Sequence, residues 1–190
     1  GGAMKSDEII DRFIELAGGI NASIVVIPTA SGNEDYNKNP SFARTLRNLG
    51  ATNVSILHTT NRNIANTQSF TNTLVNANGV WFEGGRQWRL VDSYKNTLTE
   101  KMIGKVLERG GVIGGSSAGA TIQGSFLARG DTQNNQFMMG DHQEGFNFMK
   151  NVAIDQHVLA RNRQFDMFEI LKKHPELLGI GIDEDTAIIV

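Results

Sequence analysis

The chain contains no cysteine among its 190 residues and only 3 prolines. The absence of cysteine excludes disulfide bonds, thiolate metal sites and a cysteine nucleophile. A cysteine-free chain suits the cytosol and the cell exterior equally well. No apolar run approaches the length of a membrane span, and no signal peptide is visible. The sequence therefore leaves the compartment open between the cytoplasm and an exported location.

A strong charge of either sign is also lacking. The formal net charge is -2 at pH 7, and acidic and basic residues are mixed along the chain. No basic stripe indicates nucleic-acid binding, and no polybasic segment indicates a membrane surface. We therefore expect small-molecule or peptide partners, with no nucleic acid and no membrane among them.

The length suits one ordinary domain with its own core. The chain opens Gly1-Gly2-Ala3 without an initiating methionine, and it stops at 187–190 within an apolar run typical of a strand. We expect residues 1–190 to form a single α/β domain and to be a fragment that lacks the first strand and C-terminal strands.

Apolar runs alternate with amphipathic segments along the chain. This alternation predicts right-handed βαβ crossovers and a mostly parallel sheet with helices on both faces, a three-layer α/β sandwich. Ligands of such sheets bind at the carboxyl ends of the strands. The polar stretch 130–145 is predicted as a surface loop or hairpin. Predicted strands lie at 23–28, 54–58, 79–83, just before 115, and at 152–155, 178–182 and 187–190, and predicted helices at 6–17, 42–49, 69–77, 87–94, 98–109 and 165–173.

The stretch 110–127 has the pattern of a strand, a tight turn and a helix, and its turn Gly115–Gly119 fits G-x-S-x-G. This motif is typical of a nucleophile elbow, in which a strained turn lifts one hydroxyl clear of the sheet. Ser117 is therefore the candidate nucleophile. The backbone N–H of Ala118, at the helix start, is a candidate oxyanion donor. The alternative is a glycine- and serine-rich turn that binds phosphate or nothing.

A serine nucleophile needs a base within hydrogen-bond reach, and the base needs a third group to orient it. Of the 4 histidines, His157 directly follows an apolar strand and should lie at the same sheet edge as Ser117. The alternative for His157 is a strand-end histidine satisfied by the backbone. The run 183–185, Asp-Glu-Asp after the next apolar run, offers three carboxylates to orient the base, or forms only an acidic turn.

A second oxyanion donor is expected in the exit turn of a neighbouring strand. Gly84-Gly85 follows the predicted strand 79–83 and presents backbone N–H groups without side-chain obstruction. Taken alone, the pair is equally typical of a simple strand-to-helix turn.

These motifs together resemble the cyanophycinase branch of the serine peptidase family that also contains aspartyl dipeptidase E. The resemblance covers nearly the whole chain, including Gly1–Ala3, similar to the end of that family's first strand, and 27–31, similar to its second strand and loop. The motifs that carry it are FEGGRQ at 82–87, GSSAGA at 115–120, DQH at 155–157 with Arg161 and Arg163, and GIGIDEDTA at 179–187.

The resemblance implies a fold similar to the class I glutamine amidotransferases, with serine in place of cysteine at the elbow. It implies that Ser117 is the nucleophile, His157 the general base and Glu184 the orienting carboxylate, with Gly85 and Ala118 forming the oxyanion hole. It implies no metal and no organic cofactor, and it suggests a homodimer. The family's substrate-binding positions fall on Gln87, Asp155, Gln156, Arg161 and Arg163.

The implied reaction is hydrolysis of aspartyl or β-aspartyl peptides, including aspartyl polymers, through an acyl-enzyme. Cyanophycinases release β-Asp-Arg dipeptides, and arginine suits the aspartyl carboxylate by bidentate pairing. Arg161 and Arg163 could instead be solvated charges on a helix entry. Two charges are inverted relative to that branch, because Arg86 replaces an acidic residue and the stretch 164–166 ends in Asp166 where a further arginine is usual. The substrate therefore stays open.

Two other functions are compatible with the sequence. An α-aspartyl dipeptidase would release free aspartate, and a non-catalytic binding or sensor domain would keep the fold and the pocket without turnover. A phosphate- or nucleotide-binding module fits less well, because the elbow has no lysine and the chain lacks G-x-G-x-x-G spacing.

Overall fold

The computed structural model describes residues 1–36 and 40–190, and within them the strands form two parallel sheets. The first sheet contains β1 (Ser23–Ile27), β2 (Asn53–Ile56), β3 (Gly79–Phe82) and β4 (Val112–Gly115), in the spatial order β2-β1-β3-β4. The second contains β5 (Gly124–Phe126), β6 (Met149–Gln156) and β7 (Leu178–Ile182), in that spatial order. Every pairing between these strands is parallel.

Helices lie between most consecutive strands, as the alternation of the sequence predicts, but a loop alone connects β5 and β6. A short 3-10 turn, Thr29–Ser31, follows β1. The α-helices are α1 (Glu8–Leu16), α2 (Ser41–Asn48), α3 (Arg62–Ala65), α4 (Gln68–Val75), α5 (Gln87–Tyr94), α6 (Leu98–Glu108), α7 (Ala118–Thr121) and α8 (Met167–Lys173).

Helices cover both faces of the first sheet. Ile24 and Val26 of β1 pack toward α1 and α2, whereas Val25 and Ile27 pack toward α4, α5 and α6. All four of these side chains are inaccessible to solvent. Successive side chains of a strand point to opposite faces, so a strand covered on both sides requires a continuous apolar run. The three-layer α/β fold is confirmed.

The predicted helices and strands recur within a few residues of their expected bounds, with two exceptions. The helix expected after the elbow ends at Thr121, and residues 124–126 of that stretch form β5 instead. Residues 187–190, predicted as a strand, form none. They lie along an apolar cleft of about 410 Å³ between α1, β4 and the second sheet. No strand of the described chain pairs with them there, so the apolar run has no ladder to join. Within the described ranges no helix is both long and apolar enough to cross a bilayer.

The aromatic cluster under α1 provides a test of the packing. Phe13 is buried and meets Trp81 of β3 edge to face, with 4.9 Å between ring centroids. Phe13→Ala should lower the free energy of unfolding by about 3–5 kcal/mol, because it removes buried area and leaves a cavity. Urea unfolding followed by far-UV circular dichroism measures the change. Phe165, which is 76% exposed, is the matched control, and its alanine variant should lose less than about 1 kcal/mol. Equal losses would contradict the packing described.

Candidate active site

The turn between β4 and α7 has the strained geometry of a nucleophile elbow. Ser117 adopts φ 52° and ψ -115°, a conformation that L-residues other than glycine rarely occupy. The two flanking glycines leave no room for a side chain. A Cβ at Gly115 would lie 2.2 Å from the carbonyl oxygen of Gly119, and one at Gly119 would lie 2.1 Å from that of Phe82. The glycines therefore allow β3, β4 and α7 to approach closely around the serine.

Ser117, His157 and Glu184 are connected by two hydrogen bonds. His157 Nε2 lies 3.0 Å from Ser117 Oγ, and His157 Nδ1 lies 2.7 Å from Glu184 Oε1. His157 follows β6 and Glu184 follows β7, and these parallel neighbours end at the same edge of the second sheet. A neutral imidazole that donates from Nδ1 to the carboxylate presents Nε2 as the acceptor for the serine hydroxyl. This arrangement is chemically able to activate a hydroxyl as a nucleophile.

Burial lowers the pKa of His157 below its ordinary value of 6.5. The hydrogen bond and the charge of Glu184 oppose this effect, and the positive charges of Arg161 and Arg163 add to it. The net lowering keeps the imidazole neutral at neutral pH. A general base must be neutral to accept a proton, so the electrostatics agree with the geometry.

The two predicted oxyanion donors belong to backbone at the elbow and to the turn that packs on it. Ala118 is the first residue of α7, so its N–H has no acceptor within the helix. The Gly84-Gly85 turn packs directly on the elbow, since a Cβ at Gly84 would lie 3.3 Å from the Cβ of Ser117. Gly85 has φ 144°, and a Cβ there would lie 2.1 Å from the carbonyl oxygen of Ala30. Only glycine fits this position.

The predicted substrate residues that follow His157 lie beside it. Arg163 is buried and donates from Nη1 to the backbone oxygen of Gln156 at 3.0 Å and to its side-chain oxygen at 3.3 Å. In the described part of the chain, the hydrogen bonds of the Arg163 side chain are both donated from Nη1. Arg161 is exposed, and its backbone N–H donates to the carbonyl oxygen of His157 at 3.0 Å.

Gln156 is buried beside Arg163, and the last two predicted substrate residues, Gln87 and Asp155, are buried against the loop that follows β5. Gln87 donates from Nε2 to the carbonyl oxygens of Ala128 and Arg129, at 2.6 and 2.9 Å. Both carboxylate oxygens of Asp155 accept from Arg129, from Nε at 2.8 Å and from Nη2 at 2.9 Å. Gln87 therefore joins the loop to the start of α5, and Asp155 joins the loop to the end of β6 beside His157.

Arg129 is a component of this region that the sequence interpretation missed. It is 1% exposed, and its remaining donors bind Asp166 at 2.5 Å and the carbonyl oxygens of Asn135 and Gln136. Burial acts to lower the pKa of Arg129, but its bonds to Asp155 and Asp166 outweigh burial and raise it. A basic residue at the start of a polar loop is normally exposed, so the pattern contained no signal for its burial.

The two positions with inverted charge also contact this loop. Asp166, just before α8, pairs with Arg129, and its side chain is 40% exposed. Arg86 donates from Nη2 to the carbonyl oxygen of Asp131 at 2.5 Å. Both charged side chains therefore bind residues of the loop. Arg129 and Arg163 are two buried cations, and Asp155 and Asp166 provide the two carboxylates that balance their charge.

Curated relatives of this chain are cyanophycinases. The chain is 31% identical over 185 residues to a cyanophycinase of Geminocystis herdmanii and 32% identical over 186 residues to one of Synechococcus elongatus. These alignments cover 96% of this chain but 68% and 58% of the two relatives. A third relative, from Trichormus variabilis, is 32% identical over 188 residues, and 62% of its length is covered.

Two solved structures with a similar fold also carry the name of peptidases. A peptidase from an acI-B1 actinobacterium superposes with a TM-score of 0.68 and 26% identity, over 93% of this chain and 74% of that one. A putative peptidase E protein from Listeria monocytogenes has a TM-score of 0.61 and 22% identity, over 94% and 88% of the two chains. The second likeness supports the fold alone.

The strained serine of the first sheet meets the histidine and the carboxylate of the second. The curated relatives are similar in sequence over 96% of this chain, and one solved neighbour is similar in both sequence and fold. A family model described as Peptidase family S51 matches residues 1–190. The chain therefore belongs to peptidase family S51 and is a serine-type peptidase.

Proposed function

We propose that the chain hydrolyses aspartyl or β-aspartyl peptide bonds with Ser117, His157 and Glu184 as its catalytic triad. The observation that carries the proposal is the hydrogen-bonded series from Ser117 Oγ through His157 to Glu184, with distances of 3.0 and 2.7 Å. The strained backbone of Ser117 and the lowered pKa of His157 support it independently.

In the first half of the reaction, Ser117 Oγ attacks the carbonyl carbon of the scissile bond and His157 Nε2 takes the hydroxyl proton. The negative charge that develops on the carbonyl oxygen is stabilised by the backbone N–H groups of Gly85 and Ala118. His157 then gives its proton to the leaving amine as the C–N bond breaks, and an acyl-enzyme ester remains. Glu184 holds the imidazole in the required tautomer throughout.

In the second half, water attacks the ester carbon while His157 Nε2 takes one of its protons. Collapse of the tetrahedral intermediate breaks the bond to Ser117 Oγ, which regains its proton from His157. The products are a carboxylic acid and the free enzyme, so neither a metal nor an organic cofactor is required.

Recognition of an aspartyl group is supported by the arginines beside His157. Arg163 uses Nη1 for its bonds to Gln156, which leaves the rest of its guanidinium to pair with a substrate carboxylate. Arg161 adds a second positive charge close to the imidazole. Gln87 and Asp155 contribute through the loop that they hold, and Gln156 through its contact with Arg163. A substrate with a free aspartyl carboxylate suits this charge distribution.

Covalent labelling tests the nucleophile directly. A small fluorophosphonate should phosphonylate Ser117 alone, as read by intact mass and peptide mapping. Ser117→Ala should abolish labelling, and His157→Ala should slow it by about 10³-fold or more, because the hydroxyl loses its base. Ser116→Ala is the matched control for the adjacent serine and should retain labelling. A folded protein that remains unlabelled would refute the proposed activity.

The pH dependence of labelling tests the base. The rate should fall at acid pH with a midpoint below 6.5, because protonated His157 cannot accept the serine proton and its pKa is lowered. Arg161→Gln removes a positive charge that lowers this pKa, so the midpoint should move to higher pH. Lys150→Gln, an exposed cation on β6, serves as the charge control and should leave the midpoint in place. A midpoint above 6.5 in the unchanged protein would contradict the assignment.

A panel of α- and β-aspartyl peptides, each with the free carboxylate or its amide, tests the substrate. Arg163→Gln should reduce kcat/KM for the free acid by about 10- to 100-fold, the range of a hydrogen bond to a charged group, with little effect on the amide. Equal effects on acid and amide would exclude recognition of the carboxylate by Arg163.

Product analysis of the same panel identifies the linkage. Release of a β-linked dipeptide supports an isopeptidase, and release of free aspartate from α-linked substrates identifies an α-aspartyl dipeptidase instead. Tight binding without any product would indicate a binding domain on the same fold.

A further inference from the structure

The amino-terminal segment, residues 1–6, connects the two sheets at the active site. Ser117 follows β4 of the first sheet, whereas His157 and Glu184 follow strands of the second sheet. The N–H of Ser117 donates to the carbonyl oxygen of Gly1 at 3.1 Å, and the N–H of Asp185 donates to that of Ala3 at 2.8 Å. The segment therefore binds the elbow on one side and the turn that contains Glu184 on the other.

The attachment to the Glu184 turn is reinforced by the next residues. The carboxylate of Asp185 accepts the N–H groups of Lys5 and Ser6, at 2.8 and 3.0 Å. The amino group of Gly1 donates to the carbonyl oxygen of Thr186 at 2.7 Å. These hydrogen bonds hold the backbone of residues 1–6 in a fixed position between the Ser117 elbow and the Glu184 turn.

Within this segment Gly2 lies directly against the imidazole of His157. Gly2 is buried, and a Cβ on it would lie 2.2 Å from Cε1, 2.4 Å from Nδ1 and 3.0 Å from Nε2 of His157. Carbon atoms in contact need about 3.5–4.0 Å. The φ angle of Gly2 is not positive, so its backbone conformation is open to any residue. Glycine is needed here because the imidazole leaves no space for a side chain.

The imidazole has little freedom to move away from a side chain at position 2. Both of its nitrogens are engaged, Nδ1 with Glu184 and Nε2 with Ser117. A ring displaced by even one ångström would break or lengthen at least one of these hydrogen bonds. A misplacement of that size is sufficient to cost about 100-fold in rate.

We propose that Gly2 is a positioning residue for His157, and that the hydrogen-bonded segment 1–6 sets the separation between the Ser117 elbow and the Glu184 turn. The backbone of Gly2 packs against the imidazole and so fixes the plane in which the ring bonds to Glu184 and Ser117. This inference rests on the proposed function of the triad, and it adds a residue that acts through the imidazole and takes no part in the chemistry itself.

The first experiment compares the fluorophosphonate labelling rates of the full chain and its Gly2→Ala variant. The variant should label Ser117 on the order of 100-fold more slowly, because the added methyl displaces the imidazole. Gly104→Ala is the matched control, since the nearest atom to a Cβ at this helical glycine is 3.9 Å away. It should label at the rate of the unchanged protein. A Gly2→Ala variant that labels as fast as the unchanged protein would overturn the proposal.

The second experiment repeats the Gly2→Ala substitution in the His157→Ala background and follows the thermal midpoint. Truncation of the ring makes room for the methyl group, so the loss of Tm caused by Gly2→Ala should disappear in that background. Non-additivity of this kind is specific to two groups in contact. An equal loss in both backgrounds would show that Gly2 acts independently of His157 and would refute the proposal.

The two experiments separate this inference from the proposed function. An unlabelled parent protein would remove the peptidase mechanism, yet the Tm comparison would still test the contact between Gly2 and His157. If Gly2→Ala alone fails to fold, folding of the double variant supports the contact, and failure of both variants contradicts it.

Discussion

The hydrogen bonds that run from Ser117 through His157 to Glu184 cross between two sheets. Among the described residues no strand of one sheet pairs with a strand of the other at this point, so the alignment of three side chains depends on what holds the sheet edges together. The strained elbow, the close-packed glycines beside it and the amino-terminal segment all act on that alignment. Each of these features fixes the backbone within about one residue of a triad member. A shift of the backbone there would move the triad side chain by a similar distance.

A second constraint is the burial of charge beside the site. Arg129 is nearly inaccessible and binds both oxygens of Asp155, two residues before His157. A buried guanidinium is tolerated only when its charge and donors are satisfied. Asp155 and Asp166 provide the charge, and loop carbonyl oxygens accept the remaining protons. Arg129 therefore connects the loop that follows β5, the end of β6 just before His157 and the residue that precedes α8.

Local patterns in the sequence were sufficient for the fold and for two of the three candidate triad residues, Ser117 and His157. Alternating apolar and amphipathic segments predicted the parallel α/β architecture, because a strand covered on both faces needs an unbroken apolar run, as in β1. The G-x-S-x-G turn predicted the strained serine, since the geometry of such a turn depends on residues adjacent in the chain. His157 was selected because it directly follows an apolar strand. For the acid, local reasoning left three carboxylates open, and the resemblance to known peptidases indicated Glu184.

The sequence by itself determined most of the helices and strands and the strand ends that hold reactive groups, because these properties depend on neighbours within a few residues. Only the tertiary structure decided which distant groups meet. In the folded chain Arg129 binds Asp155 and Asp166, and Gly2 packs against the ring of His157. Residues 187–190 join no sheet, although their composition favours a strand. Contacts of this kind depend on the relative placement of whole elements, and hydrophobic periodicity contains no information about the partner that an inward-facing side chain will find.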